Sequence, residues 1–61
     1  MKHTKASKAA LNNLRREIAE LGEISASMNA AKERGDYRAF AGDAAAFARK
    51  HERVMLAWDA V

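Results

Sequence analysis

ERGDYRAFAGD, Glu33 to Asp43, contains the pair Gly-Asp twice, seven residues apart. Glycine tolerates the left-handed backbone that ends a helix, and aspartate caps the helix that follows. Each pair therefore reads as a stop followed by a start, and which of them breaks the chain decides the fold.

The flanking apolar periodicity separates the two. Before the stretch, Leu11, Leu14, Ile18, Leu21, Ser25 and Met28 recur in alternating steps of 3 and 4, the spacing of a helix seam. Ala10, Ile24 and Ala31 widen that stripe. A second stripe runs Tyr37, Phe40, Ala44, Phe47, His51, Val54, Trp58 and Val61 in the same steps, widened by Ala41, Ala48 and Met55. This second stripe crosses Gly42-Asp43 without a change of phase, so the helix is expected to continue there. Across Gly35-Asp36 the frame slips by two residues, about 200° at 100° per residue. One continuous helix would then carry its stripes on nearly opposite faces. A break at Gly35-Asp36 removes the conflict by folding the chain back.

The predicted fold is all-α: a first helix over about 7–34, a turn at 35–36 and a second helix over about 36–61, closed as an antiparallel hairpin. Ser7 is placed to cap the first helix. Residues 1–6 are expected to form a disordered basic tail. Proline is absent, and alanine, glutamate, lysine, arginine and leucine are plentiful, which suits helix throughout. Gly42 falls in a helix interior on the outer face.

Size sets the next expectation. Of 61 residues about half are apolar, but half of those are alanine, which leaves 15 large apolar side chains. Chains this short usually need a staple. Cysteine is absent, which excludes disulfides and thiol chemistry. Self-association is the remaining route, and a homodimer forming a four-helix bundle is expected. Its dimer or core set is Leu11, Leu14, Ile18, Leu21, Ile24, Met28, Tyr37, Phe40, Phe47, His51 and Val54. No unbroken apolar run is longer than that from Ala44 to Ala48, too short for a membrane span or a signal-peptide core. A cytoplasmic, soluble chain is expected.

Catalysis has no support in the residue pattern. There is no nucleophile–base pair at usable spacing, no phosphate-cradling loop and no paired carboxylates facing a pocket. No cofactor or metal is implied. His51, between Phe47 and Trp58, reads as a structural histidine, because its neighbours on the stripe are not ligands. His3 falls in the tail.

Binding is the function class left. The formal net charge of +3 comes entirely from the first half, where residues 1–34 hold seven basic and four acidic side chains. Lys5, Lys8, Asn12, Arg15 and Arg16 form a basic flank that could track phosphates. The reading favoured over that one is that the same charges neutralise the adjacent end of the second helix, with its exposed carbonyls and Asp59. At the open end, Met55, Leu56, Trp58 and Val61 with Arg49 and Arg53 supply the residue types that anchor protein interfaces. If the dimer core takes Trp58 and Met55, Leu56 is merely a lone exposed leucine. The leading expectation is a small non-catalytic regulatory or inhibitory protein acting through protein–protein contact.

In chain length and hairpin design the sequence resembles the Rop family, plasmid-encoded helical-hairpin dimers that bind paired RNA loops through first-helix faces. The likeness is one of architecture; no sequence motif is shared and no residue roles are carried over. What it implies is the alternative function, a nucleic-acid-binding dimer using the basic flank. A bacterial, plasmid or phage accessory role would suit so short an alanine- and arginine-rich chain.

Overall fold

Gly35 breaks the chain and Gly42 does not. In the computed structural model, which describes residues 7–61, helix α1 spans Lys8–Arg34 and helix α2 spans Tyr37–Asp59. Gly35 has φ of 75°, in the left-handed region that favours glycine. Its amide donates to the Lys32 carbonyl at 3.0 Å, and the Asp36 amide donates to the Ala31 carbonyl at 2.9 Å. This pair of bonds closes the last turn of α1 and satisfies two of its otherwise unbonded carbonyls. Asp36 then caps α2 by accepting from the Ala39 amide at 3.1 Å. Ser7 does the same for α1, accepting from the Ala10 amide at 3.0 Å. Against the expected 7–34 and 36–61 the helices span Lys8–Arg34 and Tyr37–Asp59, and the tail at 1–6 lies outside the described residues.

The two helices run back along each other in a body 44 Å long and 14 by 13 Å across. The turn spends only Gly35 and Asp36, so the arms are antiparallel neighbours along their whole length. The buried core is thin. Leu14, Ala57 and Val61 cluster near the open end, with Ala10, Leu11 and Val54 packed against them. Ala31 is buried near the turn. Among the described residues Ala31 is completely removed from solvent, but no large side chain is.

The line of contact differs in phase from the two sequence stripes. On α1 the buried and half-buried residues centre on the line Ala10, Leu14, Glu17, Leu21, Ile24, Met28, Ala31, flanked by Leu11, Asn13, Glu20 and Ser25; on α2 they centre on Asp43, Phe47, Lys50, Val54, Ala57, Val61, flanked by Ala39, Phe40, Ala44 and Ala46. Ala10 and Ala31, expected only to widen the first stripe, lie on the contact itself, as does Ile24, which widened the stripe and also stood in the expected dimer or core set. Ile18, Tyr37 and His51, expected in the dimer or core set, are exposed in the hairpin. The physical reason is Glu17 and Lys50. They meet between the helices and occupy contact positions that the apolar pattern passes over.

Candidate interaction surface

The hairpin has two unlike sides. One is polar and tied across by side chains. Lys50 Nζ donates to Glu17 Oε1 at 2.8 Å and to Glu20 Oε1 at 2.7 Å. Arg53 Nε lies 4.0 Å from the same Glu17 oxygen. Nearer the turn, Ser27 Oγ donates to Asp43 Oδ2 at 2.7 Å. The hydrogen bond from Lys50 holds the Glu17 carboxyl below its ordinary range, and Lys50 is raised in turn, first by Glu17 and then by Glu20. Toward the open end an open groove of about 480 Å³ is lined by Asn13, Arg16, Glu17, Arg53 and Leu56. Arg16 is held there by donating to Asn13 Oδ1 at 2.9 Å.

The opposite side is apolar along α2 and mixed along α1, where Leu11 and Ile18 are its large apolar residues. Residues on the polar side precede the contact positions by one: Asn13, Arg16, Glu20 and Ser27 on α1, Arg49, Arg53 and Leu56 on α2. Residues that follow the contact positions by one are Leu11, Ile18 and Ser25 on α1, interspersed with Gly22, Asn29 and Lys32 and with Arg15 turned toward its back, and Ala44, Ala48, His51, Met55 and Trp58 on α2. Two right-handed helices running antiparallel turn in opposite senses when viewed from one end. A step of one residue therefore moves both helices toward the same side of the pair. Ile18, Met55 and Trp58 remain 50%, 51% and 46% exposed on that side. Phe47 is half-buried, and its ring stacks on His51 with centroids 6.2 Å apart and planes 15° off parallel. Tyr37, 70% exposed, continues the row at the turn end.

This geometry sorts the residues that the sequence grouped. Met55 and Trp58 belong to the apolar side. Leu56, Arg49 and Arg53 belong to the polar side, and Val61 is buried in the hairpin core. The six therefore do not form one surface. Lys8, Asn12 and Arg15 are exposed along the back of α1, away from α2, whereas Arg16, also exposed, lines the groove on the polar side; Lys5 lies outside the described residues. Sequence reasoning missed Glu17, Glu20 and Lys50. Their signal was available: opposite charges at contact-line positions on two helices whose pairing the short turn fixes.

Among the described residues, no group of three or more His, Cys, Asp or Glu side chains could hold a metal ion. Nor is any described helix long and apolar enough to cross a membrane. No protein-family model, curated protein or solved structure matches the chain.

Proposed function

We propose that the chain is a small non-catalytic regulatory or inhibitory protein that works through protein–protein contact, and that the contact surface is the apolar side shared by α1 and α2. The observation that carries this reading is the placement of Ile18, Met55 and Trp58. All three are large, about half exposed, and on one side of a hairpin whose other side is tied by its own ion pairs. Tryptophan and methionine are enriched where protein interfaces are most tightly packed. The polar side has its charges largely satisfied and offers one large exposed apolar residue, Leu56.

A photo-crosslinking side chain placed at Met55, and separately at Leu56, tests this in cells. Protein adducts from position 55 and few from position 56 are expected. Adducts dominated by nucleic acid, or equal protein adducts from both positions, contradict the reading. The nucleic-acid alternative rests on Lys8, Asn12 and Arg15 on the exposed back of α1 and on Arg16 at the edge of the polar side. It requires affinity that falls steeply with salt and is lost on combined Arg15→Glu and Arg16→Glu substitution.

A further inference from the structure

We infer that the occupant of the apolar side is a second copy of this chain, packed to give a four-helix bundle. The inference rests on the protein-contact reading above and names its partner.

The phase of the apolar stripes carries it. In an isolated helix pair, each stripe should point at the other helix. In a three-helix bundle each helix bisects two neighbours about 60° apart, so its stripe turns about 30° off the line to either one. In a four-helix bundle the neighbours stand about at right angles, and the stripe turns about 45°. Averaged at 100° per residue over the alternating 3 and 4 steps, each stripe lies roughly 60° from its contact line; Ala10, Ile24 and Ala31 draw that of α1 in to about 30°, and Ala41, Ala48 and Met55 carry that of α2 out to about 80°, so the mean stays near 60°. Both rotate to the same side. That offset is far from an isolated hairpin, and nearer four helices than three. A single partner helix lying in the groove between α1 and α2 fits it less well than a second hairpin.

Two further observations select a copy of this chain. The charges that α1 and α2 could offer each other are already spent on the polar side, at Lys50, Glu17 and Glu20, so the apolar side is left to be buried as a unit. The hairpin's side measures 44 by 14 Å between backbone atoms. That is roughly 600 Å² before side chains widen it, close to the approximately 800 Å² that each partner gives a standard interface. A two-fold axis through such a side lets each copy cover in its partner the same patch that it presents itself.

Light scattering on the purified full chain should give twice its 6.7 kDa mass. Combined Ile18→Lys and Met55→Lys substitution should leave a helical monomer, raising the dissociation constant at least about 100-fold. Leu56→Lys, on the polar side, should remain dimeric. A second readout does not depend on the charged variant folding. The chain has no native cysteine, so a thiol from Ile18→Cys should be protected from alkylation at high protein concentration and exposed on dilution, while one from Leu56→Cys reacts freely throughout. A native monomer at about 100 µM overturns the inference. So do a dimer dissociated by Leu56→Lys and a thiol at position 18 that reacts alike at all concentrations. If the purified chain is monomeric but a crosslinker at Met55 still captures a different protein selectively, the second copy is wrong and the protein-contact reading stands.

Discussion

Lys50 is the residue on which the hairpin's pairing turns. Its ammonium bonds two carboxylates of α1 from a position facing that helix, and Glu17 is nearly buried beneath it. Removing the cation leaves Glu17 without its main partner, so Lys50→Met should destabilise the hairpin at neutral pH and do so less in acid, where Glu17 is protonated. The native chain's own pH profile follows from the directions of the shifts. Glu17 is lowered from 4.5, so its contribution is present above that value and is lost as pH falls through the folded-state value. Lys50 is raised from 10.5, so its contribution is present below that value and is lost as pH rises through the folded-state value. Urea midpoints measured across pH should therefore form a plateau from about pH 5 to 10, with the acid shoulder reduced in Lys50→Met. The two glycines of the opening stretch separate just as cleanly. Gly35→Ala forces a side chain into a left-handed backbone and should cost about 1–2 kcal/mol. Gly42→Ala adds a methyl group to open space in a helix interior and should stabilise by about 1 kcal/mol. Thermal melts of the two variants check both signs.

Among the elements, caps and stop signals were the most legible part of the sequence. Ser7, Gly35 and Asp36 act through local backbone geometry, and each does what its residue type implies. The continuation through Gly42 was legible because periodicity outweighs one weak helix former. The phase of the contact was not. An apolar stripe records all the surface a helix hides, whichever neighbour hides it, and so points between neighbours when there are two. Glu17 and Lys50 further disguise the line of contact, because polar residues do not register in an apolar pattern even when they meet across it. Ala57, small enough to let the helices approach, gives no signal at all. The grouping of Met55, Leu56 and Trp58 failed for a related reason. Nearness in sequence at the end of a helix says little, since adjacent residues point about 100° apart. The contact line can be tested against the stripe directly. Leu14→Ala, inside the hairpin, should cost about 2 kcal/mol even at concentrations too low for association. Ile18→Ala should cost under about 1 kcal/mol there, because half of Ile18 already meets solvent in the hairpin. Denaturant titrations of both variants on dilute protein check the difference.

For the whole molecule, the thin core and the exposed apolar side are two views of one arrangement. Two helices this slender bury Leu14, Ala57 and Val61 at one end and Ala31 at the other, and leave larger side chains half covered between and beside them. A second hairpin on that side would complete the core from outside the chain, and thermal stability would then rise with concentration by mass action. Trp58 is the only tryptophan and stands on that side, 46% exposed in the single hairpin. Its emission therefore reports the surface itself, and dilution reports whether a copy of the chain covers it. The spectrum should be blue-shifted in concentrated protein and move to the red through a single transition as the chain is diluted. Emission that keeps one wavelength from the highest to the lowest concentration, with the helices intact throughout, would contradict a second copy on the apolar side.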